Sequence, residues 1–430
     1  MNHFKLAVIA FRNLKRNSRR TIITVLVSSA GFAAIAIVGG YMEFTFFGLQ
    51  EMTVCRGFTS SGGTGHIQII RKDSVQKEEQ YPLEYGIADY DKVQKSITGY
   101  DSNIKATIPR IEFTGLISNG EKSTSFLGMG VIPEKELMLM SYWDQIYKNL
   151  KNHSSQEMIY RKLALASPNA VLLGEGMAKA LHAEEGSSLM LMGTTVDGAV
   201  NVVDVTVAGV INNSIKTVDK YYLVTSIETA QNLMQTDKVS KILLVLGNTK
   251  QTDGVLSVVS SKINSSGNNS EYSVIPWYKL AEYYHSVKDA YRIIFGFTGI
   301  IVVLIVFLSA ANTMLMSTME RVREIGTLKA MGVSNRWISM MFLYEGFFIG
   351  LMSIAVGLML KELFTFAINN ANFEMPPPPG MSSTYFLKIY SGSHFLPWIS
   401  LLLLLSTTCS GFLTLFKIRK LSIVNSLTHV

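Results

Sequence analysis

STMERVREIGTLKAMGVSNRW, residues 317–337, is a charged island between two apolar runs. It holds two acids, four basic residues and two glycines, too little to fold alone. Before it lies Ile293–Met319, with no charged residue; after it lies Trp337–Leu360, whose only charge is Glu345. Two more runs, Ile22–Met42 and Phe395–Phe416, carry no charge. Each run approaches or exceeds the roughly 20 residues that cross about 30 Å of hydrocarbon. The pattern predicts four transmembrane helices. Buried core helices of a large soluble protein are the rival reading, and four runs of this length argue against it. The charged fraction, 17%, is below the roughly 25% of soluble averages, and the mean hydropathy is +0.25.

Charge near the helix ends sets the orientation. Lys5, Arg12, Lys15, Arg16, Arg19 and Arg20 precede the first run without an acid among them, and Lys417, Arg419 and Lys420 follow the last. Both termini and the island are therefore expected on the cytoplasmic side. The long segment between the first two spans is expected outside. The net charge of +7 reads mainly as this topology signal, and no aromatic-interleaved basic patch points to nucleic acid. A cleaved signal peptide would need a shorter apolar core than residues 22–42 offer, so an uncleaved anchor is expected. Cys55 falls outside and Cys409 within the fourth span, so no disulfide is expected.

The chain divides accordingly. Residues 1–20 form a cytoplasmic amphipathic helix, with Phe4, Ala7, Val8, Phe11 and Leu14 at helical spacing; a frayed basic tail is the alternative. Span one and its outward continuation cover 21–45, an external mixed α/β domain 46–277, a stalk helix with span two 278–318, and a cytoplasmic connecting helix 319–336. Span three covers 337–361, an external loop 362–394, span four 395–416 and a cytoplasmic tail 417–430. Within the external domain, VNVVDVTVAGVI (200–211) alternates as a half-buried strand does, and KILLVLG (241–247) reads as another strand. Residues 171–192 read as strand, short helix, a stop at Gly186, then strand. Thr225 and Glu228 stand at capping-box spacing before a helix to Met234. A helix is expected over 252–263 and a loop over 265–270. No proline or glycine intervenes between Trp277 and Gly296, which predicts one unbroken stalk.

Catalytic and ligand motifs are absent from the sequence. There is no phosphate loop, no H-E-x-x-H, no G-x-S-x-G elbow and no cysteine or histidine spacing for a metal. His66 reads as a surface histidine at a strand start. Met129, Met138, Met140, Met190 and Met192 offer either an adaptable apolar surface or simple core packing. Glu345 lies about 12 Å into span three at ~1.5 Å per residue, beside a Gly346–Gly350 pair that allows close helix approach. It reads as a packing group bonded across a helix interface or reaching headgroups; a place on a transport path is the alternative.

In the island itself, Val322, Ile325, Leu328 and Met331 recur every third residue, charges occupy other faces, and Gly332 is a stop. Spacing alone leaves a short amphipathic helix and a plain interfacial loop equally open. The stretch resembles the signature "ERxxEIGxxKAxGxS" of the MacB/FtsX-like family of ABC-transporter permeases, which includes LolC/LolE-like lipoprotein-releasing permeases. Glu320, Arg321, Glu324, Ile325, Gly326, Lys329, Ala330, Gly332 and Ser334 match it. FRNLKRNSRRT (11–21), GHIQI (65–69), GMGVIPEKE (128–136), VLLGEGMAKAL (171–181) and MPPPPG (375–380) are similar to other family elements. RKLSIVNSL (419–427) matches loosely, lacking the usual proline.

The resemblance implies a permease subunit with four spans and a MacB-like periplasmic core domain between the first two. It implies a coupling helix that docks on a separate ATPase through Glu320, Arg321, Arg323, Glu324, Ile325, Gly326, Leu328, Lys329 and Gly332. In that reading the apolar stripe fills a groove of the ATPase while Arg321, Arg323 and Lys329 meet acids on its rim. The chain itself is then no enzyme and holds no cofactor; ATP and Mg belong to two ABC ATPase subunits. A second permease copy or paralogue, a periplasmic adaptor, lipoprotein or outer-membrane component and the lipid bilayer are further implied partners. The implied location is the bacterial inner membrane. The implied function is mechanotransmission for export or release of lipoproteins, peptides or other amphiphiles; a non-transporting, FtsX-like signalling permease is the alternative.

Overall fold

The structure, a computed structural model, describes residues 3–56, 62–74, 83–146, 153–166, 168–212, 216–265, 271–376 and 384–420. The chain separates into two compact units. The first comprises residues up to Phe46, Lys288–Phe373 and those from Leu387 on; the second is Phe47–Val287 with Glu374–Phe386.

The second unit is built on one nine-stranded sheet: β1 (Ile67–Arg71), β2 (Ile104–Ser118), β3 (Ser123–Val131), β4 (Ala170–Gly174), β5 (Ser188–Thr194), β6 (Val200–Ile211), β7 (Tyr222–Ser226), β8 (Lys241–Leu246) and β9 (Tyr272–Pro276). Strands β3, β7, β4, β6, β5 and β2 pair in succession, and β2 pairs back with β3, so six strands close into a barrel. The 15-residue β2 makes this possible: its second half pairs with β3 and β5, and its first half pairs with β8, which carries β1 and β9. Period-2 alternation aims Val203, Val205 and Val207 of β6 into the core and leaves Val202, Asp204 and Thr206 exposed. The core joins them to Phe113, Phe126 and Leu191. A short two-stranded pair, β10 (Glu374–Met375) and β11 (Tyr385–Phe386), completes the strands.

The helices, in chain order, are α1 (His3–Arg16), α2 (Ser18–Cys55), α3 (Tyr90–Thr98), α4 (Pro133–Ile146), α5 (His153–Leu165), α6 (Glu175–Leu181), α7 (Lys216–Asp219), α8 (Ile227–Met234), α9 (Thr252–Ser265), α10 (Trp277–Leu280), α11 (Glu282–Glu320), α12 (Val322–Ala330), α13 (Asn335–Ala371) and α14 (Leu396–Lys420). Helix α8 lies against the barrel strands where they carry glycine: a Cβ on Gly130 would come within 2.5 Å of the Ala230 Cβ.

Several expectations meet the structure directly. The strand–helix–strand reading of 171–192 holds, with Gly186 at φ +91° between α6 and β5. The strands at 200–211 and 241–247 and the helix from 252 are present. Most of the loop at 265–270, most of the MPPPPG segment and the tail from 421 lie outside the described residues. Two local readings change. The cap of α8 is Ser226, whose hydroxyl accepts from the Thr229 amide at 3.1 Å; Thr225 still belongs to β7 and donates to the Ala170 carbonyl. The stalk is broken: Ala281, at φ −95° and ψ 56°, separates α10 from α11. Trp277, Ala281 and Tyr284 pack together with Val54, Ile108 and Leu243, and this side-chain cluster overrides the helical propensity of the segment.

In the first unit, α2, α11 and α13 are long and apolar enough to cross a membrane. The fourth expected span falls on α14, whose apolar part among the described residues is the shorter Leu396–Phe412. Helices α13 and α14 pack closely at glycine. A Cβ on Gly346 would meet the Thr407 carbonyl oxygen at 2.5 Å, and one on Gly350 would clash with the Thr407 hydroxyl. Gly357 faces Phe32 of α2, and Gly31 faces Val306 of α11. Cys55 and Cys409 are not joined in a disulfide.

Candidate functional site

The charged island folds into a helix held at both ends. Arg321, at φ −106° and ψ 17°, is the single residue between α11 and α12. At the other end Gly332 takes φ +82°, and the Val333 amide reaches back to the Leu328 carbonyl at 3.0 Å. That left-handed glycine with a six-to-one bond ends the helix. Four residues later α13 has begun. Helix α12 therefore has no slack on either side.

Its apolar stripe turns inward, against the sequence-based expectation that it would face a partner. Val322 and Ile325 are buried, and Leu328 partly so. Ile325 packs with Leu6 and Ala10 of α1 and with Ile338, Met341 and Phe342 of α13. Met331 falls beyond the helix and is 68% exposed. The reason is α1, which supplies a complementary stripe. Among the described residues its buried positions are Leu6, Ala10 and Leu14, four apart, whereas Phe4, Val8 and Phe11 point outward and Ala7 is half-buried. The helix is amphipathic twice over, with one apolar face for the protein and one for its surroundings.

The charges divide in the same way. Arg321 was expected on the partner-facing side, yet its side chain is 7% exposed and its Nη1 donates to Glu345 Oε1 at 2.8 Å. Asn13 Nδ2 of α1 donates to the same oxygen at 2.9 Å. Arg321 Nε also donates to Glu324 Oε2 at 3.1 Å, and its guanidinium lies over the Phe342 ring. Glu324 further accepts from Arg16 Nη2 at 2.5 Å, and Glu320 pairs with Arg20 at the same distance. Partial burial pushes the Glu324 carboxyl up, but the hydrogen bonds from Arg321 and Arg16 outweigh it and hold the group below the ordinary carboxylate value. Burial lowers the Lys329 amine. A small cavity beside Glu345 is lined by polar side chains such as Asn13, Asn17 and Thr313 and by the apolar Leu14, Met314 and Ile349.

The outward face of α12 carries Arg323, Glu324, Thr327 and Ala330, with Met331, Gly332 and Arg336 following. Ile325 and Gly326 are buried, Leu328 and Lys329 half-buried, and Glu320 exposed. Glu345, Gly346 and Gly350 lie on the buried face of α13. Sequence alone does not single out Asn13, and it reads Arg16 and Arg20 only as charges that set the orientation. A usable signal existed for Asn13, which falls three residues after Ala10 on the stripe that begins at Leu6.

Elsewhere, His66 is fully buried, contrary to its reading as a surface residue. Its Nδ1 accepts from the Leu246 amide at 3.1 Å, which leaves the proton on Nε2, 3.0 Å from the Thr249 hydroxyl. Thr249 in turn donates to Glu51 at 3.0 Å. Burial lowers the imidazole pKa to about 3. Of the five methionines, Met129 is core, Met138 and Met190 are exposed, Met192 is half-buried, and the Met140 side chain lies outside the described residues. No cluster of metal-ligating residues occurs among the described residues.

Comparison with known proteins places these features. The MacB-like periplasmic core domain matches residues 21–261, and the FtsX-like permease C-terminal domain matches residues 296–423. The chain is 24% identical over 387 residues to the ABC transporter permease YtrF of Bacillus subtilis, covering 84% of this chain and 83% of that one. It is 22% identical over 335 residues to the lipoprotein-releasing system transmembrane protein LolC of Neisseria meningitidis serogroup B, covering 74% and 76%. Among solved structures, the periplasmic region of MacB from Actinobacillus actinomycetemcomitans aligns at a TM-score of 0.33 and 12% identity, over 50% of this chain and 89% of that one.

Proposed function

The chain belongs to the MacB/FtsX-like family of ABC-transporter permeases, and from that premise we propose that it converts ATPase motion into movement of its MacB-like domain. Permeases of this kind work with separate ATPase subunits. In this reading four spans, α2, α11, α13 and α14, sit in a bacterial inner membrane with both chain ends in the cytoplasm. Helix α12 is the docking element. Two ATPase subunits bind ATP and Mg and push on α12 in each of two permease chains. The observation that supports this most is the tethering of α12: one residue joins it to α11, and a glycine-stopped turn joins it to α13. A short helix so held cannot shift without shifting both spans. Helix α11 is 39 residues, roughly 60 Å at about 1.5 Å per residue, twice the thickness of the hydrocarbon. It is long enough to carry motion beyond the bilayer.

The geometry supports a different set of docking residues from the one expected. Arg321 and Ile325 are turned into the permease, so the surface offered to the ATPase is the exposed stripe of Arg323, Thr327, Ala330 and Met331. Its basic charge fits an acidic rim and Met331 an apolar pocket. Lipoproteins or other amphiphiles handled at the outer face of the membrane fit the family as cargo. Arg323→Glu and Ala330→Trp test the assignment. Both are expected to lower co-purification of the ATPase about tenfold, equivalent to 1.4 kcal/mol, without changing the melting of the permease. Unchanged co-purification by both variants would sink the assignment.

A further inference from the structure

Resting on that docking role, we propose that α1 is part of the docking element, with Asn13, Arg321 and Glu345 as positioning residues that make α1, α12 and the start of α13 one moving body. Thrust on α12 would then enter span α2 directly, as well as α11 and α13.

Three independent contacts carry this. The first is the three-way joint at Glu345, the lone acid of its apolar run. One carboxylate oxygen receives Asn13 of α1 and Arg321 of the α11–α12 corner, and both charged side chains are buried. Separating these elements would strand the Glu345 carboxylate away from water, which is strongly unfavourable. The second is apolar: Leu6 and Ala10 close the groove between Ile325 of α12 and Ile338, Met341 and Phe342 of α13. The third is an outer link, Arg16 at the end of α1 to Glu324 on α12; beside it, Arg20 at the start of α2 pairs with Glu320 on the last turn of α11. A helix that only floated at the interface would turn Arg16 to lipid headgroups; here it turns to the docking element.

The joint between α1 and α2 is stiff. Asn17 is the only residue between them, yet its amide bonds the Asn13 carbonyl and its carbonyl accepts the Thr21 amide, each at 3.1 Å. The Thr21 hydroxyl donates its one hydrogen between the Leu14 and Asn17 carbonyls, each at 3.1 Å. The ladder thus passes through the corner, and a displacement of α1 is carried into α2.

The test uses the full chain assembled with its ATPase in phospholipid vesicles, in a Cys409→Ser background. Arg16→Cys with Glu324→Cys is bridged by a short bifunctional maleimide. If α1 and α12 move together, bridging yield is the same with and without ATP, and the bridged complex keeps its ATP hydrolysis rate. A yield that depends on ATP, or hydrolysis that stops on bridging, overturns the inference. A second measurement separates positioning from folding. With an environment-sensitive dye on Val200→Cys, Arg16→Glu is expected to reduce the ATP-driven fluorescence change about tenfold, and Arg16→Glu with Glu324→Arg to restore it. A purely structural role would lower the yield of folded chain and leave the signal of the folded fraction intact, which also overturns the proposal. If the ATPase does not bind the parent chain at all, the docking reading falls and this one with it; binding with failed bridging or failed rescue removes only the role of α1.

Discussion

Arg110–Glu136 in the MacB-like domain and Arg321–Glu345 in the membrane unit are both buried arginine–glutamate pairs, but they are wired differently. Arg110 meets Glu136 through two parallel bonds, Nε to Oε1 at 2.6 Å and Nη2 to Oε2 at 2.8 Å, and donates its remaining Nη1 to the Gly63 carbonyl. The side chains are 1% and 3% exposed. This is a closed pair that pins α4 to β2. Burial works against the Arg110 charge, but Glu136 outweighs it and raises the guanidinium pKa. Arg321 instead divides its donors between Glu345 and Glu324, and Glu345 divides one oxygen between Arg321 and Asn13. A closed bidentate pair fixes one geometry. A shared carboxylate joins several elements and lets each bond be replaced by its neighbour. The first suits a domain that keeps its shape, the second a joint that transmits load.

The strongest way to break this contrast is to remove each acid in turn. Glu136→Ala strands a fully buried guanidinium and is expected to cost about 3–5 kcal/mol. Glu345→Ala costs less, because Arg321 retains Glu324, itself 48% exposed to solvent. Amide hydrogen exchange on the full chain in detergent reads both, at β2 for the first and at α12 for the second. Equal losses would mean that the two pairs are the same kind of structure.

The buried histidine sharpens the same point through pH. His66 stays neutral in the fold until about pH 3, whereas an unfolded histidine takes up a proton below 6.5. Between those values the unfolded chain binds the extra proton, so stability falls as pH is lowered, by about 1.4 kcal/mol per unit. His66→Asn is expected to flatten that slope at β1 and β8 while lowering stability at neutral pH. An unchanged slope would mean that His66 is not what titrates.

Much of this was legible in the sequence, and the gaps have a common cause. Span-length apolar runs, the alternation in β6 and the stop at Gly332 are local patterns, and local physics decides them. The inward turn of Arg321, the burial of His66 and the break at Ala281 depend on side chains from 24 to more than 200 residues away in sequence. Spacing around Arg321 could not reveal that α1 already occupies the apolar face of α12. The same holds for Thr225, displaced as a cap because β7 pairs with β4 through it.

The smallest expected effect is the most discriminating. Arg16–Glu324 is a surface pair, with side chains 56% and 48% exposed, and such pairs contribute about 0.2–1 kcal/mol. Arg16→Ala should therefore barely move the melting of the chain. Glu324 is held below the usual carboxylate range, so the contribution of the pair is present above about pH 4.5 and is lost as pH falls through the depressed value. At neutral pH the pair is intact, and any change in hydrogen exchange on removing Arg16 should be confined to α1 and α12. A link this weak matters to stability hardly at all, but it lies where α1 and α12 would part under load. If exchange in α1 rises with ATP in Arg16→Ala and not in the parent, the pair holds the two helices together during the cycle; if it rises equally in both, the load passes elsewhere.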